Sequence, residues 1–415
     1  MTRINKKKMY RKFTKRVLCD KDLERFEKSK DPRIKQYFDL DHRYQNFEEL
    51  NVYYEFTPFN VEKKMITPKI RKFIQTSQYR YPKCILRLFK NYPSISKTLP
   101  STSNEHVGLR AVTNDSRHIY YKFMLSHMTG LSKNKDIIRR VVSEGLKEHY
   151  NIVNELKKFN ETPKILKSFK SFKEVKTCVK KIMHDIISIC KYDFPKMHDI
   201  HKKLPRIHVH RSKPGEPKAY YVLPSVTCKY TRGNPNQRGK VVIQLTSLHN
   251  VDICDLTLIL VHEVIPGHFY EFHNYPSDFY VSPYWFNEGW GLYVEKWIDR
   301  LGDSYKKTRL IERLLRATRC IIDPYIHTKN KSLTDCVNKM YRLMCGHMTR
   351  DACKQEVLRY ICNPGQACSY LNGCKFIERM ANKRGRMSLY DFHDLLLRIG
   401  PGPMKYVKKK ILSGK

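Results

Sequence analysis

His262, Glu263 and His268 stand together in LTLILVHEVIPGHFYEFH, residues 256–273. Two imidazoles beside a carboxylate form a donor set suited to a borderline dication such as zinc. In the HExxH pattern the histidines sit four residues apart on one helix face. The glutamate after the first takes a proton from a metal-activated water. Here Pro266 fills the fourth position and the second histidine comes at the sixth. On a straight helix six residues advance about 600°, which leaves the two imidazoles about 240° apart. Pro266 interrupts the backbone ladder and Gly267 accepts dihedrals that other residues avoid. The spacing therefore predicts a bulge inside the helix that returns His268 to the face of His262.

A cage needs a third donor. Glu288 supplies a carboxylate twenty residues beyond His268, in PYWFNEGWGLYVEKW at 283–297. Glu295 follows seven residues later, near the same helix face. It either orients a ligating imidazole from behind or makes an ordinary surface salt bridge. The metal site is thus expected within 262–295. Trp285 and Trp290 flank Glu288 and are read as core.

The elements that must position these groups are mostly helical. Apolar residues recur at helical spacing over 118–158. A stripe of Val175, Val179, Ile182, Met183, Ile186 and Ile187 marks another helix. The runs RIHVH, AYYVLPS and KVVIQLTS are β-branched and aromatic, and the turns KPGEPK and RGNPNQRG separate them. They predict two or three strands, a small β-sheet at about 205–248 ahead of the metal-binding helix. After Asp252 the chain reads as helical almost to its end. The fold class is mainly α. A boundary falls at the Ser/Thr/Pro-rich stretch 94–104. It divides a basic N-terminal region, 1–104, from a helical domain, 105–415.

Composition bounds the partners. The 415 residues carry 80 Lys+Arg against 40 Asp+Glu, a formal charge of +40. Such a surface attracts polyanions, so non-specific nucleic-acid contact is one reading and a merely solvated basic surface is the other. The 13 cysteines form no CxxC pair, which argues against a disulfide framework and for a reduced, cytoplasmic compartment. No apolar run is long enough for a membrane span. The basic start MTRINKKKMYRKFTKR lacks the apolar core of a secretory signal.

HEVIPGH followed by EGWGLYVE resembles the bacterial family called domain of unknown function 885, whose pattern is HExxPGH followed by EGWxLYxE. Three further segments are similar in order: RCIIDPYIH (319–327), EVLRYICNPGQACSYLNG (356–373) and LYDFHDLLLRIGPGPM (389–404). The resemblance covers roughly 105–415. It implies a fold like the helical Glu-zincin peptidases, in which a second helix gives the third ligand. Two departures stand out: Phe269 where many members have another histidine, and Tyr325 in place of a glycine.

The resemblance also singles out Tyr370 and His327 as donors to a tetrahedral oxyanion, because both fall in its motifs. Arg359 and Gln366 would bind the substrate backbone or its terminal carboxylate. The expectation is a Zn²⁺-dependent hydrolase of the metallopeptidase type, a carboxypeptidase or dipeptidase acting on a peptide or other amide substrate. The alternative is an inactive zinc-bearing binding protein whose basic surface contacts nucleic acid or another anionic partner. Hydrolysis of a non-peptide amide or ester would use the same groups.

Overall fold

The computed structural model describes residues 106–108, 118–131, 136–200, 203–212, 218–222, 239–274, 283–402 and 404–413. The N-terminal region 1–104 and nearly all of the two turns flanking β3 lie outside the described residues.

Helices α1 (Ile119–Thr129) and α2 (Ile137–Leu156) come first. A short strand β1 (Leu166–Lys167) leads into α3 (Phe172–Cys190) and the single turn α4 (Met197–Ile200). Then come β2 (Arg206–Arg211), β3 (Ala219–Val222), β4 (Lys240–Leu245) and β5 (Val251–Asp252). The central helices are α5 (Ile253–Glu263), α6 (His268–Asn274) and α7 (Tyr284–Val294). Beyond them run α8 (Asp303–Thr328), α9 (Leu333–Leu343), α10 (Arg350–Cys362), α11 (Ser369–Asn382), α12 (Leu389–Ile399) and α13 (Met404–Ser413).

The chain divides into two compact units. Of the described residues, one holds those within Val153–Arg313 and Gly373–Lys415, and the other holds those within 106–152 and Leu314–Asn372. In the first, β2, β4 and β3 form one sheet in that order. β2 runs parallel to β4 with Arg206 opposite Lys240, and β3 runs antiparallel to it with Tyr221 opposite Val241. Val241, Val242 and Ile243 are all buried, so β4 is covered on both faces. Helix α3 starts where the Ser171 hydroxyl accepts the Glu174 N–H at 3.3 Å. It buries Val175, Val179, Ile182, Met183 and Ile186 against β2 and α5. The expected strands and the apolar stripe are therefore present. The β1–β5 pairing, two residues long, was too short to show a period in the sequence.

In the second unit α9 packs on α10 and α1 packs on residues 366–368. Asp323 is buried there. It accepts the Tyr121 hydroxyl at 2.5 Å and the Gly365 N–H at 3.0 Å. Gly365 sits at φ +83, close against the backbone of Leu125, where a side chain would be strained. Among the described residues no helix is long and apolar enough to cross a membrane.

Candidate metal centre

Helix α5 is apolar on nearly every side. Leu256, Leu258, Leu260 and Val261 are all buried. Its start is fixed by Asp252, whose carboxylate accepts the N–H groups of Cys254 at 2.9 Å and Asp255 at 3.3 Å. His262 and Glu263 form its last turn. The helix then stops. The N–H groups of Val264 and Ile265 both go to the Leu260 carbonyl, and the Ile265–Pro266 peptide is cis.

A new helix, α6, opens at His268. The expected bulge inside one helix is thus replaced by two helices joined through residues 264–267. Pro266 offers no N–H to continue the ladder. Gly267 lies so close to the end of α5 that a Cβ there would be 1.8 Å from the His262 carbonyl oxygen. The Trp290 indole N–H donates to the Pro266 carbonyl at 2.8 Å and ties this turn to α7.

The turn brings both imidazoles to one carboxylate. Nε2 of His262 and Nε2 of His268 each lie 3.7 Å from Oε2 of Glu288. The rings are 4.9 Å apart at 87° to one another. One ligating atom from each residue falls within 4.8 Å of the other two, the one such group among the described residues. Zinc bonds of roughly 2.0–2.2 Å at tetrahedral angles separate neighbouring donors by about 3.3–3.6 Å. A small inward movement would close the three atoms on a common centre, so the donor set fits a zinc ion.

Each imidazole is held from behind. Glu295 is 1% exposed, and its Oε1 meets His262 Nδ1 at 2.8 Å. It is not a surface salt bridge. Glu271, 0% exposed, meets His268 Nδ1 at 3.2 Å. Glu271 escaped the sequence reading, although its place three residues after His268 on a helix was the available signal. Gly291 of α7 leaves room for the first imidazole, because a Cβ there would be 2.6 Å from His262 Cε1.

Glu263 faces the sheet. Its Oε2 accepts the Tyr221 backbone N–H of β3 at 2.9 Å.

The site's electrostatics are set by carboxylates facing imidazoles. Burial works to raise the Glu288 pKa, but the two imidazoles 3.7 Å away outweigh it and hold the group well below the usual carboxylate range. Burial pushes Glu271 up to about 7 against the pull of His268. Burial opposes charge on His262, yet the Glu288 carboxylate 3.7 Å away and the hydrogen bond to Glu295 hold its pKa above normal. His268 follows the same pattern, with Glu271, Glu288 and Glu263 outweighing burial. The charged groups acting most strongly on these four residues are carboxylates and imidazoles. No Lys or Arg is among them.

The remaining candidates lie in the second unit. His327 is 1% exposed. Its Nε2 faces the Tyr360 carbonyl at 3.0 Å and its ring stacks on Tyr121 at 5.2 Å. Burial lowers its pKa to about 3, so it is a neutral, packed histidine. Arg359 donates to Gln366 Oε1 at 3.1 Å and to Glu356 at 3.0 Å. The Tyr370 ring lies 4.7 Å from the Arg319 guanidinium carbon. Trp285 and Trp290 are core, as their sequence context implied.

No curated protein matches the chain in sequence. Among solved structures, a candidate lipoprotein from Colwellia psychrerythraea superposes with a TM-score of 0.62 at 20% identity. The match covers 92% of this chain and 69% of that one. A second candidate lipoprotein, of unknown function and from Shewanella oneidensis, gives 0.49 at 15% identity, with 88% and 72% covered. The first likeness places the mainly helical fold among known architectures. The sequence pattern of the family described as bacterial protein of unknown function (DUF885) matches residues 119–411, and the chain belongs to that family.

Proposed function

We propose that the chain is a zinc-dependent hydrolase of the metallopeptidase type, with His262, His268 and Glu288 as the metal's protein ligands and Glu263 as general base. The observation that carries this reading is the convergence of three donor atoms beside Glu263. When bound, zinc would supply Lewis acidity, making a water acidic near neutral pH and polarising a carbonyl. Glu263 accepts the water's proton and passes it to the leaving amine. Its Oε2 is fixed by the Tyr221 N–H, which limits carboxylate rotation. A purely structural metal site has no need of such a base.

A carboxypeptidase or dipeptidase on short peptides is our specific reading, and a non-peptide amide or ester would use the same groups. In it Tyr370 donates to the oxyanion, and Arg359 with Gln366 recognises a substrate carboxylate. These three roles rest on the motifs that carry the residues. His327 is left out, because its ring nitrogen is already engaged in a packed interior. A reducing, cytoplasmic setting is part of the same reading and rests on the cysteine spacing, which holds no CxxC pair.

A second reading has one observation in its favour. Burial and the charges of Lys240, Lys176, Arg206 and His210 together lower the His208 pKa, marking a basic surface around β2. That surface would suit a polyanion such as nucleic acid. Zinc content and cleavage of a mixed peptide library, measured on wild type and Glu263→Gln, separate the two. The hydrolase reading expects one zinc in both proteins and cleavage reduced about 10²–10⁴-fold in the variant. Zinc in both without cleavage by either ends the peptidase assignment. Salt-dependent RNA or DNA binding that survives chelation would then favour the second.

A further inference from the structure

We infer that Glu271 is the positioning carboxylate of the second metal-ligating imidazole, matching Glu295 behind the first; this rests on the metal-site reading above. Both histidines turn Nε2 toward Glu288, so both must present Nδ1 to something else. His262 presents it to Glu295 at 2.8 Å and His268 presents it to Glu271 at 3.2 Å. An Nδ1–H donated to a carboxylate fixes the tautomer whose Nε2 lone pair is open to a cation. It also stops ring rotation and raises the basicity of the ligand.

The local fold explains why Glu271 is available. Helix α6 begins at His268, so the residue three positions on lies over the same face. The break at 264–267 therefore delivers a ligand and its support together. Had α5 simply continued, neither group would reach the cluster. Glu271 is also 0% exposed. A carboxylate taken wholly out of water is costly unless a donor or charge meets it, and His268 is such a partner. A residue serving only to fill space at this depth would be apolar.

The inference separates charge from volume. Glu271→Gln keeps the shape and an acceptor oxygen but removes the charge. The measurement is zinc affinity of the full-length chain by competition with a chromophoric chelator, together with the visible spectrum of the cobalt(II) form and thermal unfolding of the metal-free protein. Glu271→Gln is expected to bind zinc about 10–100-fold more weakly, with an altered cobalt spectrum and an unchanged metal-free transition. In a His268→Ala background the same change should add less than about two-fold, because the effect runs through that imidazole. Equal affinity in wild type and Glu271→Gln overturns the inference, as does an equal loss in both backgrounds. Should the Gln variant fail to fold, Glu271→Asp, which keeps the charge but withdraws it from Nδ1, is expected to show the same loss. A wild type that binds no zinc overturns the metal-site reading itself, a result distinct from either.

Discussion

The Trp290 indole N–H donates to the carbonyl of Pro266 at 2.8 Å, so α7 holds the turn that lies between the two histidines. Both partners are buried, and a lost bond leaves a carbonyl without its donor. Trp290→Phe keeps most of the ring volume and removes the N–H. We expect about 1–3 kcal/mol of stability to go, and zinc affinity to fall as the His268 end of the turn loosens. Urea unfolding alongside chelator competition checks this. A variant that loses stability but binds zinc normally would show that the bond supports only the fold.

Gly291 faces the first imidazole. Elsewhere in a helix Gly→Ala stabilises by about 0.5–1 kcal/mol. Here the new methyl would sit 2.6 Å from His262 Cε1 and must push the ring aside. Gly291→Ala should therefore abolish or sharply weaken zinc binding. Zinc content after dialysis reads the outcome, and full occupancy would show that His262 does not depend on the space at position 291.

Why some of this was legible is a matter of range. Helical stripes such as Val175–Val179–Ile182 and the β-branched runs of the sheet announce themselves locally, because burial repeats at the period of the element. The three donors were legible because Glu288 lies in its own recognisable segment. The path between the histidines was not. Whether Pro266-Gly267 bulges a helix or ends it depends on what packs against the turn, and Trp290 comes from another helix. Glu271 was hidden for the same reason, since it faces His268 only once α6 is known to start there. His327 misled because a motif position says nothing of what its ring meets, here the Tyr360 carbonyl.

Asp323 offers a pH test in the second unit. Burial raises its pKa to about 7, against the hydrogen bonds from Tyr121 and Gly365. The unfolded group titrates near 3.9. Between those values the folded chain binds the extra proton, so this group's contribution to stability is full below about pH 4. It falls as pH rises to about 7 and is level above. Three units correspond to at most about 4 kcal/mol. Asp323→Asn cannot ionise and escapes that decline. From pH 5 to pH 8 the variant should lose less stability than wild type in urea unfolding, while other titrations cancel in the difference. Parallel curves would refute the assignment.

Metal removal gives the broadest test. Donors on α5, α6 and α7 come together only in the folded chain, so zinc should bind the native state and leave the unfolded state largely alone. Linkage then requires stabilisation that grows with free zinc, about 2.7 kcal/mol at a hundred times the dissociation constant. Scanning calorimetry should show an unfolding transition that rises with zinc and drops on chelation. In His268→Ala the dependence should vanish, because two remaining donors make a poor cage. Magnesium at the same concentration should move the transition little, since it prefers octahedral oxygen ligands to imidazole. A wild-type transition indifferent to both ions would leave the buried carboxylates of this cluster without a cation to answer them.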